Sequence, residues 1–296
     1  MKKYLLGFAL AITLIACAQK GADPKNTSTQ EYNDQEIIDT SNKGDVTTLP
    51  LTTEDSVPLF NGTEIFISKE KNQAGKHTLR AIVDNVVLKG TSDKNTGAGQ
   101  LEGFKADKSK TTILISDDLN TITIEEYNVS DKKISSKVLI KHGSITEENY
   151  KANKLDSKKL TRANETTLEY LEMTDADNAQ RALETLKNGI KLEGNLVGGK
   201  TSLTIKEGSV TLTKEIEKDG KVKMFLKDTA SSNNKTGVWQ EATGTLTISA
   251  DSKKTKNIVF LTDGTITVQK YDAAGSVLEG NPIVIKDLTE LKNTLK

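Results

Sequence analysis

The sequence predicts an all-β protein, a long up-and-down antiparallel meander, on three observations. Short runs alternate threonine with branched aliphatics, as in Thr121-Ile122-Thr123-Ile124, Leu203-Thr204-Ile205, Val210-Thr211-Leu212-Thr213 and Thr265-Ile266-Thr267-Val268. That period of two is the pattern of a strand with one face buried. Turn dipeptides separate the runs (Ala74-Gly75, Gly198-Gly199, Glu207-Gly208, Asp219-Gly220, Asp263-Gly264) and supply the positive φ that two-residue hairpins need. Pro24, Pro50, Pro58 and Pro282 all lie outside Leu59–Asn281, the span in which each would remove a ladder hydrogen bond.

In chain order, residues 1–16 read as a secretion signal. Lys2 and Lys3 precede an apolar run from Tyr4 to Ile15, too short for a stable transmembrane helix. Leu14-Ile15-Ala16-Cys17 has the form of a lipobox, in which the thiol receives diacylglycerol, the signal is cut before the cysteine and the new amine is open to a further acyl chain. Cys17 is the sole cysteine, so it forms no internal disulfide and is assigned as the lipid attachment site. Several acyl chains, at about 0.8 kcal/mol per buried methylene, hold a polypeptide far more firmly than one marginal myristoyl group. Residues 17–53 are rich in Thr, Ser, Asn, Asp, Lys and Gln without sustained apolar periodicity. They read as a disordered tether, because they bury too little surface to offset ordering entropy.

No second run of apolar residues is long enough to span a bilayer. Basic and acidic residues number 41 each, and removing Lys2 and Lys3 leaves 39 against 41, a balance that gives nucleic acid no electrostatic footprint. Hydrophobic residues are 35% and aromatics 4%, below the roughly 45–50% apolar (glycine included) of an ordinary globular domain. One large core is therefore excluded in favour of two modules or one long thin one. The division drawn here is an N-terminal and central sheet over 54–173 and a C-terminal β module over 174–296. Leu288, Leu291 and Leu295 at helical spacing predict a short amphipathic helix closing the second. The stretch 174–187, with Ala179, Leu183 and Leu186 on one helical face, fits either a helix capped by Asp175 or Asp177 or an irregular strand connection. Thr121–Tyr127 echoes Thr265–Tyr271, and Ser68-Lys69-Glu70 with Gly75-Lys76 echoes Thr213-Lys214-Glu215 with Gly220-Lys221, at separations of 144 and 145 residues. Two related modules or coincidence in a low-complexity strand alphabet both produce this.

The search for chemistry yields a decoy. Gly194-Asn195-Leu196-Val197-Gly198-Gly199-Lys200-Thr201 satisfies the Walker A spacing, but a P-loop opens a helix and Thr201–Lys206 alternates like a strand, so Gly198-Gly199 reads as a hairpin turn. Gly97, Gly99 and Gly103 miss dinucleotide spacing by one residue and read as turn glycines. His77 and His142 are the only histidines, which excludes a multi-histidine metal centre. Asp175-Ala176-Asp177-Asn178 lacks the glycine and closing glutamate of a calcium loop. Lysine-rich stretches at 151–159 and 253–256 read as solvated edges, with partner contact as the secondary reading. Trp239, the sole tryptophan, is expected to pack in the C-terminal module. No catalytic, cofactor or metal residues are assigned.

The segments Cys17-Ala18-Gln19-Lys20-Gly21, LFNGTEIFISKEKN (59–72), LKGTSDKN (88–95), KANKLDSKKLTR (151–162), LTISADSKKTK (246–256) and FLTDGTITVQKYD (260–272) resemble the outer surface lipoprotein A/B family of Lyme-disease spirochaetes over essentially the whole chain. The resemblance implies an elongated antiparallel sheet of about twenty strands, single-layered and wet on both faces in its centre, with small globular ends and one C-terminal helix. It further implies display on the bacterial outer membrane, adhesion to the tick gut, recognition by host antibodies, and no catalytic activity or cofactor. The leading expectation is therefore a lipid-anchored adhesin and antigen that contacts a vector or host protein. The alternative is a structural coat lipoprotein without a dedicated receptor; a periplasmic ligand binder or enzyme is disfavoured by the lack of a catalytic cluster.

Overall fold

A computed structural model of the protein describes residues 53–59, 63–83, 86–230 and 235–296. The expected signal, Cys17 and the tether up to residue 52 lie outside the described residues. One 21-stranded antiparallel sheet accounts for 63% of the described residues, as an open meander without barrel closure. Its first strands are β1 (Glu54–Pro58), β2 (Glu64–Lys71), β3 (His77–Val83), β4 (Val86–Ser92), β5 (Gly99–Phe104), β6 (Lys110–Ile115) and β7 (Thr121–Tyr127). The middle comprises β8 (Ile134–Lys141), β9 (Ser144–Lys151), β10 (Lys154–Thr161), β11 (Thr167–Asp175) and β12 (Asn178–Thr185). It continues through β13 (Lys191–Val197), β14 (Lys200–Glu207), β15 (Val210–Ile216), β16 (Val222–Asp228) and β17 (Lys235–Gln240). The last strands are β18 (Thr245–Ala250), β19 (Lys253–Phe260), β20 (Ile266–Tyr271) and β21 (Leu278–Val284), followed by helix α1 (Leu288–Leu295). Each strand pairs with its neighbours in sequence, so β1 and β21 are the edges. At about 4.8 Å per junction, 21 strands cover a path of about 95 Å along the hydrogen-bonding direction.

Two main cores form on opposite faces of this one sheet. The first gathers Ile65, Ile67, Leu79, Ala81, Leu88, Leu101, Ile113, Ile115, Ile122 and Ile140. Residues opposed across an antiparallel pair point to the same side, and neighbours along a strand to opposite sides. Followed across the register, Ile122 faces Ile140, Ile140 faces Ile145, Ile145 faces Thr161 and Thr161 faces Thr167. Leu168, the first residue of the C-terminal core, instead faces Leu160 and through it Thr146 and Leu139, which belong to the other side. The apolar face therefore changes sides across the middle of the sheet. There β9 and β10 contain no fully buried residue, and β8 contains only Ile140.

The C-terminal core collects Leu186, Ile190, Leu192, Leu203, Ile205, Leu212, Met224, Leu246, Ile248, Ile258 and Ile266 from the strands and their connections, with Leu291 and Leu295 from α1. The helix forms as its leucine spacing predicts. The Asp287 side chain caps it by accepting from the Glu290 N–H at 2.8 Å, and Lys256 and Lys235 donate to the Thr294 and Leu295 carbonyls at its other end. Asn side chains tie the curled sheet together, Asn164 donating to the Thr262 carbonyl and Asn188 to that of Ile285, both at 2.8 Å.

Several sequence expectations resolve or change. Residues 178–185 are strand β12, so the helical alternative for 174–187 falls. A register shift between Ala179 and Ala182 places buried residues three apart, which mimics a helix. Gly198-Gly199 is the two-residue hairpin, with φ of 60° and 79°. Asp219-Gly220, Asp263-Gly264 and Ala74-Gly75 instead close three-residue loops: the N–H of Glu217, Leu261 and Asn72 reaches the carbonyl of Lys221, Thr265 and Lys76. Glycine there takes the left-handed last position. Gly103 lies inside β5 rather than in a turn, where a Cβ would stand 2.4 Å from the Val87 carbonyl oxygen. Pro58 and Pro282 fall within strands, but on the two edges, where a missing N–H costs least.

Candidate interaction surfaces

The thin centre carries a ladder of charge. Glu125 on β7 opposes Lys137 on β8, which opposes Glu148 on β9, which opposes Lys158 on β10. The ammonium of Lys137 lies 3.0 Å from Glu125, and that of Lys158 3.1 Å from Glu148. On the other face Lys159 lies 3.5 Å from Glu147. The Tyr127 hydroxyl donates to Glu125 at 2.7 Å and the Tyr150 hydroxyl to Glu148 at 2.9 Å. The Tyr127 hydrogen bond and then Lys137 hold Glu125 below the usual carboxylate range. Burial works against ionisation of Glu148, but its bonds to Lys158 and Tyr150 outweigh it and also keep that carboxyl low. Burial and the bond to Glu148 push the Tyr150 hydroxyl up to about 12. Each cross-strand pair contributes about 0.2–1 kcal/mol, and lysine stems cover the strands where no second layer does.

The residues singled out from sequence do not converge. Gly194 lies in β13, with a Cβ position 1.7 Å from the Ser202 carbonyl oxygen. Lys200 pairs with Glu215 at 3.1 Å, and Thr201 is buried against the Tyr170 hydroxyl at 2.7 Å. No phosphate cradle exists in that hairpin. His77 is held by the Ser68 carbonyl through Nδ1 at 2.7 Å, while His142 lies in the β8–β9 turn with φ of 47°. Asp175 is engaged by the Asp177 N–H and the Asn178 amide. Among the described residues no group of three or more His, Cys, Asp or Glu is placed to hold a metal. Trp239 packs on the C-terminal core, edge-on to Phe260 at 6.2 Å, with its indole N–H donating to the Val222 carbonyl at 2.8 Å. A depression of about 390 Å³ beside Leu114 contains Lys94 and Asp117, paired at 2.7 Å.

The surface feature not read from sequence is apolar. Of the ten exposed large hydrophobic side chains among the described residues, eight lie between Val197 and Val284. Phe225 on β16 and Val238 on β17 point outward from adjacent strands, 49% and 61% exposed, while their chain neighbours Met224 and Trp239 face the core. Val277 and Ile283 are each 62% exposed at edge strand β21. The pairs Met224-Phe225 and Val238-Trp239 held the signal: two adjacent apolar residues in a strand cannot share one face.

An open meander with cores on opposite faces and a ladder of paired charges across its centre defines an all-β, single-sheet scaffold. The chain belongs to the Borrelia lipoprotein family, whose profile matches residues 38–296. It is 64% identical to Outer surface protein B of Borreliella burgdorferi strain B31 over 297 residues, covering 99% of this chain and 100% of that protein. A second Outer surface protein B of Borreliella burgdorferi is 60% identical over 304 residues, covering 100% of both. The protein is thus a surface lipoprotein of the outer membrane.

Proposed function

We propose that the protein is a non-enzymatic adhesin and antigen, anchored by acylated Cys17, spaced from the lipid by residues 17–53, and contacting a vector or host protein through its C-terminal part. The observation that carries this reading is the concentration of exposed apolar side chains after Val197, above all Phe225 beside Val238. An aromatic anchor within a polar rim is the anatomy of a protein contact. Host antibodies have the same surface available to them. A non-enzymatic role is supported by the Walker-like glycines forming a hairpin turn and by lysines of the central ladder facing carboxylates.

The test is binding of the full chain to immobilised tick-gut protein, with Phe225→Asp/Val238→Asp as the variant. Loss of at least about tenfold in affinity, the size expected for a contact anchor, supports the reading. Full binding by the variant removes this patch from it. Binding no stronger than that of a charge-scrambled control removes the adhesin and leaves a coat protein.

A further inference from the structure

We propose that one rim of the central sheet, built from the β7–β8 and β9–β10 turns, binds a linear sulfated polysaccharide. Lys132 and Lys133 lie in the first turn, and Lys151 and Lys154 flank Ala152-Asn153 in the second; all four are exposed. The turns touch: with its amide turned to suit its neighbours, Asn153 places nitrogen 2.9 Å from the Asp131 carboxylate and oxygen 3.1 Å from the Lys133 ammonium. The four lysines thereby form one surface, on which Asp131 is the only acid contributed by residues 128–133 and 151–154.

The contrast with the sheet faces shows that this charge is not part of the ladder. Lys137, Lys158 and Lys159 each have a carboxylate within 3.5 Å, whereas among the described residues the four rim lysines have none within ion-pair distance. Turns two strands apart are separated by about 10 Å, just beyond the Debye length of about 8 Å at physiological ionic strength, so their fields reinforce one another chiefly at low salt. Farther along the same rim, Asp175 at the end of β11 and Asp177 in its turn to β12, with exposed Glu172 just before them in β11, bound the basic stretch on that side.

A row of cations along a narrow rim fits a linear polymer better than a planar bilayer, which a broader cluster would engage. Single-stranded nucleic acid would need aromatic platforms for its bases, and residues 128–133 and 151–154 include no aromatic side chain. The outer membrane location exposes the rim to the acidic polysaccharides of other cells. This surface is separate from the Phe225 patch, so either proposal can fail alone.

The experiment measures binding of the full chain to immobilised heparin as probe, beside desulfated heparin, duplex DNA and phosphatidylserine vesicles. The proposal expects heparin binding that weakens with added salt and with desulfation. Changing Lys132, Lys133, Lys151 and Lys154 together to Ala is expected to reduce it at least about tenfold at low salt, since each lost contact removes counterion release. The four Lys→Arg changes should retain it, as should Lys187→Ala/Lys191→Ala elsewhere on the sheet. Undiminished binding by a folded fourfold Ala variant, loss in the Arg variant, or no heparin binding at all would overturn the proposal. Equal or tighter binding to DNA or vesicles would overturn the polysaccharide assignment.

Discussion

Lys214 on β15 reaches Glu184 on β12 inside the C-terminal core, its ammonium 2.9 and 2.7 Å from the two carboxylate oxygens. Glu184 is 1% exposed and also accepts from the Arg162 guanidinium at 3.2 Å. Lys214 borders a small cavity otherwise lined by Leu192, Leu203, Ile205, Leu212, Met224 and Phe260. One buried anion therefore compensates two cations in an apolar setting. Glu184→Leu should cost about 3–5 kcal/mol, because it strands Lys214 without a counter-charge. Lys214→Met should cost less, since Glu184 keeps Arg162, and the double change should recover most of the loss. Urea unfolding of the three variants measures this, and a loss below about 1 kcal/mol for Glu184→Leu would show that the pair does not matter to folding.

The central ladder should fail on acidification before the cores do. Glu125 and Glu148 are held below their ordinary value of 4.5, so their contribution is complete above that pH and is lost as pH falls through the depressed folded values. Amide exchange in β8–β10 should therefore accelerate as pH falls below 4.5, beyond the intrinsic pH effect, while Leu203 and Ile248 amides stay protected. Glu125→Gln/Glu148→Gln should flatten this response; an unchanged profile would remove the two carboxylates as its source.

At the alkaline end the sign reverses. The Tyr150 hydroxyl is raised to about 12 from 10.0, so the folded state favours its neutral form. That contribution is complete below 10 and disappears as pH rises towards the folded value. Absorbance titration should show a tyrosine ionising late that is missing from Tyr150→Phe. Unfolding midpoints of the two proteins should converge across the same window. Ionisation of Tyr150 near 10 would break the link to Glu148.

Most of the fold was legible because a half-buried strand advertises itself as alternation, and Thr121–Ile124 or Val210–Thr213 have one wet face and one dry. Legibility failed where that condition failed. In β12 the register shift after Ala179 puts Ala179 and Ala182 three apart, and no single-sequence period separates this from a helix turn. Gly198-Gly199 forms the expected two-residue turn, but Asp219-Gly220 and Asp263-Gly264 marked the right places with the wrong loop length, because Asp219 and Asp263 cap three-residue loops through their side chains. The contact surface was hidden for a different reason. Which of Met224 and Phe225 faces outward depends on register with Lys214 and Thr213, a long-range property that local pattern does not encode.

Gly194 separates the hairpin reading of the Walker-like segment from a phosphate loop. It stands opposite Leu203 in the β13–β14 ladder, and a Cβ there would lie 1.7 Å from the Ser202 carbonyl oxygen and 2.9 Å from the Leu203 Cα. Backbone, unlike a side-chain tip, cannot yield without breaking the ladder. Gly194→Ala should therefore destabilise by at least about 1–3 kcal/mol, the cost of overpacking, by pushing β14 and its core residues Leu203 and Ile205 away from β13. Gly208→Ala meets nothing within 4 Å and costs only the strain of φ +60°, about 1 kcal/mol. Thermal unfolding of the two variants compares these sites directly. A larger loss at Gly208 than at Gly194 would contradict the close approach of β13 and β14.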